Sequence, residues 1–415
     1  MEFPTWAEVD LDRFRRNLEA IRAAIGDSRR ILLVVKADAY GHGAVEIARH
    51  AVQHGVSMLG VATLHEGIEL RGAGVSAPIV VLSPSLLSEV EEIIEHRLTP
   101  CIATLPFAER LSERCQAHQV IARYHVEIDT GMGRTGVNDG EAVPFLERLG
   151  TLPNLVLEGA FTHFPDADRG ETELSEQQLT RFQAVLRDLS LRKIDVPIRH
   201  AANSAGLLSL GASHLDMVRP GILAYGGYPT QDVARSVKVE GILSFKTRVV
   251  QIREHAPGQN ISYGCTYRTT RWTRVAVLPV GYGHGYPWAL GNRGEVLVRG
   301  KRAPIIGRVT MDLTMVDVSD IPDVRLEDEV VLWGEQRGAR LDLNEVADRA
   351  QTIPYELLCG MGKRVVRLFL REGEPTKVVT LIGERREFEI AESGVGASDR
   401  RKRRRVEYKN VREKP

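Results

Sequence analysis

The sequence predicts an α/β chain: an amino-terminal (β/α)8 TIM-like barrel followed by a mainly-β domain. Two observations carry this. Between residues 31 and 219, eight short apolar runs alternate with amphipathic helical patterns, the repeat expected of a barrel of about 250 residues. From about residue 236 those patterns give way to alternating apolar and polar stretches punctuated by glycine and proline, the mark of antiparallel strands. A doubly wound sheet is the rival arrangement, but it has fewer strands and opens on a G-x-G-x-x-G turn. The first strand turn lacks that fingerprint. The expected units are a barrel over 9–235, a β-rich domain over 236–373 joined by residues 1–8, and an extension over 374–415, partly disordered.

Residues 5–10 alternate apolar and polar, as a short strand does, and are expected to join the second domain. Leu11, Phe14, Leu18, Ile21 and Ile25 then form one helical stripe. The eight barrel strands are expected at 31–35, 58–62, 78–82, 98–103, 122–128, 156–161, 198–202 and 217–219. Helices are expected between most of them, as at 44–54, 86–96, 106–118 and 175–191. In the second domain, strands are expected at 241–252, 275–280, 294–298, 315–318 and 365–370, with a helix at 343–350. Residues 377–382 and 386–390 read as a hairpin.

Composition narrows the function. Fifty-five basic and 55 acidic residues cancel, so the net field gives no reason to expect a polyanionic partner. Four cysteines without metal-ligand spacing imply neither a metal centre nor a disulfide scaffold. The amino terminus lacks a signal-peptide pattern, and no apolar run has the length of a membrane span. A cytoplasmic enzyme that binds neither membrane nor metal is the expectation. Six consecutive basic residues at 400–405 without interleaved aromatics read as a solvated tail, and no nucleic-acid partner is expected from them.

Barrel enzymes place their chemistry at the carboxyl ends of the strands, and polar residues gather there. Lys36 ends the first apolar run, a cation where an apolar layer would exclude it unless something needs it. Gly41 and Gly43 follow, giving a loop that can approach a ligand. Asp129-Thr-Gly-Met-Gly-Arg134 follows the fifth strand and Thr162-His163 the sixth. Asn203-Ser204 follows the seventh, and Arg219-Pro-Gly221-Ile222 closes the eighth. A lysine at a buried strand end suits a Schiff base.

These residues resemble one family, alanine racemase of the fold-type III pyridoxal 5′-phosphate (PLP) enzymes. The resemblance rests on Val35-Lys-Ala-Asp-Ala-Tyr-Gly-His-Gly43, Asp129-Thr-Gly-Met-Gly-Arg134 and Met217-Val-Arg-Pro-Gly-Ile222. It continues through Ile261-Ser-Tyr-Gly264, Gly281-Tyr282, Met311-Asp312 and Ile353-Pro-Tyr-Glu356. It spans residues 5 to about 371 and leaves the tail uncovered. What it implies is an isomerase interconverting L- and D-alanine by two bases, supplying D-alanine for peptidoglycan. PLP would be tethered to Lys36, which also serves as the base for the D-face. Tyr263 would be the second base, with His163 as its partner and Arg219 next in line. Arg219 would face the pyridine nitrogen, a position where most PLP sites use an acid. Ser204, Gly221, Ile222, Tyr40 and Tyr355 would hold the phosphate, with Asn203 nearby. Arg134 would hold the cofactor phenolic oxygen or the substrate carboxylate, and Met311, Tyr282 and Tyr355 would crowd a small side chain. Asp312 would support the site. Tyr263 and Met311 would enter from the partner of a homodimer.

Two positions depart from the family pattern. Glu127 stands where relatives often carry a carbamylated lysine, and is expected to pair with Arg134 directly or through water. Thr310 replaces a cysteine and is assigned no role. The alternative function is a PLP racemase of broader specificity, for serine or other small amino acids. A non-catalytic PLP-binding barrel would need neither Tyr263 nor the second domain, and a decarboxylase would place an acid where Arg219 stands.

Overall fold

The computed structural model describes residues 3–169 and 172–381, and the backbone of residues 386 and 387. Strand β1 (Thr5–Asp10) runs directly into helix α1 (Leu11–Ile25). Asp10 starts that helix by accepting a hydrogen bond from the Arg13 amide at 2.8 Å, which satisfies one of the donors a helix start leaves over. The stripe Leu11, Phe14, Leu18, Ile21 and Ile25 is buried, as its 3.6-residue period requires.

Eight parallel strands follow: β2 (Arg30–Val34), β3 (Met58–Val61), β4 (Ile79–Val81), β5 (Thr99–Pro100), β6 (Ala122–Asp129), β7 (Leu155–Phe161), β8 (Ile198–His200) and β9 (Met217–Val218). One ladder runs from β9 through β2, β3 and β4 to β5, and a second joins β6, β7 and β8. Two seams close the barrel. A parallel bridge between Cys101 and His125 joins β5 to β6. The amides of Asp216 and Arg219 donate to the carbonyls of Arg199 and Ala202, at 3.1 and 2.9 Å, and join β8 to β9. Ile31, Leu32, Leu33 and Val34 are all buried, which is why β2 reads as an unbroken apolar run: helices cover one face of a barrel strand and the interior covers the other.

In the second domain, β1 lies between β10 (Leu243–Arg248) and β11 (Val366–Arg371). It pairs antiparallel with β10 from Thr5↔Thr247 to Val9↔Leu243, and parallel with β11 from Trp6↔Val366 to Asp10↔Leu370. The amino-terminal strand thus belongs to the largest sheet of the second domain. The single strand expected over 241–252 is two. At Val249 and Val250 the chain leaves the first sheet, and Gln251–His255 pairs instead with Thr273–Leu278. Both valines fit a strand, so the change of sheet leaves no local mark. Of the expected hairpin, Glu374–Val379 pairs with β11, and Lys377 and Val378 pair with Glu387 and Arg386. The basic run at 400–405 lies outside the described residues.

The site is positioned by the turn after β2. Ala37, Asp38, Ala39 and Tyr40 adopt φ of 51°, 54°, 52° and 54°, a left-handed helical turn without a glycine. Each such residue costs roughly 1–2 kcal/mol, so neighbours must hold the turn. Glu66 accepts from the Ala37 amide and Asp38 from the Ala44 amide, both at 2.7 Å. The His42 Nδ1 bonds the carbonyls of Ala39 and Tyr40, both at 2.8 Å. Gly41 has φ 76° and lies against the second domain, where an added Cβ would stand 2.1 Å from the Leu358 carbonyl oxygen. Gly41→Ala is therefore expected to lower the unfolding free energy by about 2–4 kcal/mol. Denaturant unfolding checks this; a loss below about 1 kcal/mol would mean that the contact yields easily.

Candidate active site

The carboxyl ends of β2, β6, β7, β8 and β9 carry Lys36, Arg134, His163, Asn203-Ser204 and Arg219 respectively. Lys36, Arg134, His163 and Arg219 sense one another's charge. Burial lowers the Lys36 ammonium from its ordinary value, and Arg134 lowers it further. Burial depresses His163 well below the usual imidazole range, helped by Arg219, Arg134 and Lys36. Arg219, only 3% exposed, is brought down to about 10 by burial. A mouth with this many cationic groups favours an anionic ligand.

Arg219 is the most constrained of them. One terminal nitrogen donates to the carbonyls of Thr162 (2.8 Å) and Ala201 (3.0 Å) and lies 3.3 Å from His163 Nδ1. The other lies 3.1 Å from His200 Nδ1. Its Nε–H has no acceptor among the described residues. The Asn203 side-chain oxygen caps the short helix Ser204–Ser209 through the Gly206 amide. Its nitrogen lies 3.4 Å from His163 Nε2.

The loop after β9 forms a compact cradle. The Ser204 hydroxyl accepts from the Gly221 amide at 2.9 Å, and the Ile222 amide has no acceptor among the described residues. A Cβ on Gly221 would stand 2.6 Å from the Tyr40 hydroxyl, so Tyr40 closes over this loop. The Tyr40 and Tyr355 rings are 5.9 Å apart, and burial holds both phenols above their ordinary range, hence protonated and able to donate.

Glu127 does not meet Arg134 directly. Its carboxylate accepts from the Thr135 hydroxyl at 2.6 Å, and among the described residues no ion pair joins it to Arg134. The backbone explains this: Gly136 packs so closely that a Cβ there would stand 2.7 Å from the Glu127 carbonyl oxygen. Thr135 is thereby folded over the carboxylate, while Arg134 projects outward. Burial raises the Glu127 carboxyl, with the Thr135 bond, Arg134 and Arg219 opposing.

The second-domain residues are arranged differently. Tyr263 is 73% exposed and Met311 49%, and neither contacts His163 or Lys36 within the chain. Their segments are bonded to one another's surroundings: the amides of Tyr282 and Gly283 donate to the carbonyls of Thr310 and Met311, and Ser262 donates to the Arg308 carbonyl. Tyr263, Tyr282, Trp288, Met311 and Leu313 thus share a surface rich in exposed apolar area. Asp312 pairs with Arg364 at 2.6 Å. Thr310, given no role from sequence, both accepts from the Leu313 amide and donates to its carbonyl, closing the turn that presents Met311.

Residues 9–229 match the family "Alanine racemase, N-terminal domain", and residues 242–369 match "Alanine racemase, C-terminal domain". The chain belongs to the alanine racemase family. Its curated relatives include the alanine racemase of Halothermothrix orenii, 44% identical over 364 residues (88% of this chain, 96% of that one). That of Symbiobacterium thermophilum is 43% identical over 366 residues (88% and 97%). Among solved structures, alanine racemase from Clostridium difficile 630 superimposes with a TM-score of 0.88 at 34% identity, covering 92% of this chain and 100% of that one. The enzyme from Bacillus anthracis with bound L-Ala-P gives 0.87 at 36% identity, covering 92% and 99%. The alanine racemase fold and the isomerase class of this chain follow from that membership.

The cofactor of alanine racemases is PLP, and the residues present fit it. The free Ile222 amide, the tight Gly221 backbone and the Tyr40 and Tyr355 phenols suit a phosphate. The idle Nε–H of Arg219 suits a ring nitrogen acceptor. Sequence reasoning missed Glu66, His200 and Tyr225. Glu66 was readable, because Thr63-x-x-Glu66 forms a capping box. The His200 contact with Arg219 and the Tyr225 hydroxyl bond to the Val34 carbonyl at 2.7 Å join distant segments and have no local signature.

Burial also pushes His42, the histidine that clamps the left-handed turn, down to about 4. In the unfolded chain an imidazole titrates near 6.5, so between those values the unfolded state binds the extra proton. Stability is complete above pH 6.5 and falls as pH drops towards 4, by roughly 3 kcal/mol from His42 alone. Denaturant unfolding at pH 7 and 4.5 should show a weaker pH dependence in His42→Gln; equal dependence in both proteins would contradict the assignment.

Proposed function

We propose that the chain racemises alanine with PLP tethered to Lys36, using Lys36 and a tyrosine from a second subunit as opposed bases. The observation that carries the reading is the meeting of Lys36, His163 and a buried Arg219 at the barrel mouth. When bound, PLP supplies the electron-withdrawing ring that makes the Cα proton of the amino acid removable.

The chain's own residues do the rest. Lys36, its ammonium destabilised by burial and by Arg134, releases a proton more readily than an exposed lysine would. Arg219 keeps its charge because a guanidinium resists deprotonation, so its Nε–H offers a ring nitrogen a hydrogen bond without giving up the proton. Ser204, Gly221, Ile222, Tyr40 and Tyr355 hold the phosphate. Arg134, exposed and unpaired among the described residues, is free to engage a phenolic oxygen or a carboxylate. Its tuning by Glu127 acts through charge at a distance, with Thr135 between them.

Tyr263 of the partner subunit serves the opposite face, with His163 as its hydrogen-bond partner, and Met311 of the partner subunit bounds the substrate methyl together with Tyr282 and Tyr355. The apolar surface around Tyr263 supports this, since such a patch calls for cover. Asp312 holds that surface in shape through Arg364. No helix of the described residues is long and apolar enough to cross a membrane, which fits a cytoplasmic homodimer producing D-alanine for peptidoglycan.

In deuterium oxide, purified protein with PLP and L-alanine should exchange the Cα proton and form D-alanine. Tyr263→Phe should impair exchange from the L-enantiomer more than from the D-enantiomer, and equal rates with wild type would refute the two-base assignment. Sharing of the site is tested by mixing two inactive homodimers, Lys36→Ala and Tyr263→Phe. Random reassortment gives half heterodimers, each with one intact site, so activity should return to about a quarter of wild type. No recovery after verified subunit exchange would place both bases in one chain.

A further inference from the structure

We propose that Glu158 is a positioning residue for Arg219, acting as its partly buried counter-ion through His200 and His125. The inference rests on the role given to Arg219 above and extends it into the barrel interior. Barrel interiors are normally filled by branched apolar side chains. Here a line of polar groups descends from the mouth: an Arg219 terminal nitrogen lies 3.1 Å from His200 Nδ1, and His200 Nε2 lies 2.9 Å from His125 Nδ1. His125 Nε2 lies 3.4 Å from a Glu158 carboxylate oxygen. That last contact is long, yet neither atom has another hydrogen-bond partner among the described residues. Each is the other's only available complement. Both imidazoles are fully buried.

The proton order along the line is fixed from its upper end. A guanidinium only donates, so His200 Nδ1 must accept and its Nε2 must carry the hydrogen. His125 Nδ1 then accepts, and its Nε2 carries the hydrogen on the side of Glu158, 3.4 Å from a carboxylate oxygen and short of a full hydrogen bond. A cation at one end and a carboxylate at the other are thus joined by two neutral rings whose dipoles run the same way. No carboxylate lies within ion-pair distance of Arg219 among the described residues; Glu127 acts on its charge from farther off, and this line links it to a second acid. It also holds one terminal nitrogen of the guanidinium, leaving the Nε–H to face the cofactor site.

Three features of β7 show that the line is built into the fold. The register of β6 on β7 slips between Tyr124 and His125, with Tyr124 facing Leu157 and His125 facing Gly159. Glu158 is therefore the extra residue of a bulge, a device that re-aims a side chain. Gly159 makes room for the ring, since a Cβ there would stand 2.6 Å from His125 Cε1. Phe161, at the end of the same strand, stacks on His200 with centroids 4.9 Å apart and lies under the Arg219 guanidinium at 4.9 Å. His125 holds the Glu158 carboxyl below its ordinary range, helped by Arg123, 3.7 Å from the other oxygen at the lower end.

The test has two arms. In holoenzyme with 15N-labelled histidine, both His200 and His125 should be neutral and protonated on Nε2 at pH 7. A hydrogen on Nδ1 of either ring, or a charged imidazolium, would overturn the proposal. This arm needs no variant and no turnover, so it stands apart from the racemase assignment, which an inactive wild-type enzyme would overturn on its own. In the second arm, Glu158→Gln preserves shape and removes the charge. It should lower kcat about tenfold while KM for alanine stays within about twofold, the behaviour of a network-coupled residue that does not touch substrate. In an Arg219→Lys background the same change should have less than about a twofold effect. Losses that multiply independently in the double variant would show that Glu158 acts on the fold and not on Arg219.

Discussion

Four consecutive non-glycine residues in a left-handed turn, Ala37 to Tyr40, are the constraint on which the rest of the site depends. The turn begins one residue after Lys36 and ends on the Tyr40 phenol, so it sets where both point. Its strain is offset by contacts drawn from across the molecule. Glu66 comes from the next βα unit, and Leu358 and Arg367 come from the second domain, Arg367 donating to the Gly41 carbonyl at 3.2 Å. Strain of this kind persists only where the surroundings over-determine it. The second domain is therefore part of the machinery that aims Lys36, in addition to carrying residues of its own.

The electrostatics at the mouth follow from burial more than from ion pairing. Arg219 is enclosed with carbonyl oxygens and imidazole nitrogens around it, and no acid in contact. The neutral histidines beside it are kept neutral by the same burial and by its charge. Glu127 shows the converse. A buried carboxylate that finds a hydroxyl in place of a guanidinium has its protonated form favoured.

The barrel was legible because strands such as β2, β3 and β4 are buried almost throughout and so appear as apolar runs, and because its polar strand ends stand out against those runs. All eight strand positions and the helical stripe of α1 could be read this way. The mainly-β domain was less legible. The passage from one sheet to another at Val249 and Val250 is made by residues that suit either sheet. Within the site, Lys36, Arg219 and Ser204 were visible as polar residues at expensive positions. Thr135 in front of Glu127 was not, because it depends on how closely Gly136 packs. His125 and Glu158 were invisible for a related reason: a bulge shifts the alternation by one residue, and sequence periodicity assigns the side chains beyond it to the wrong face.

The position of β1 between β10 and β11 has a consequence for how the molecule is assembled. The strand made first joins neighbours made more than 230 and 350 residues later, as Val9 meets Leu243 and Phe369. Contacts so distant along the chain are slow to close and carry no reward until late in synthesis. The barrel, whose ladders link neighbouring units, has no such wait. Until β11 arrives, the sheet of the second domain ends at β1, whose outer edge stays open. Open edges invite pairing with other chains. The period before β11 appears is thus when a nascent chain is most exposed to misassociation, and separating the two domains by cutting between them would make that exposure permanent.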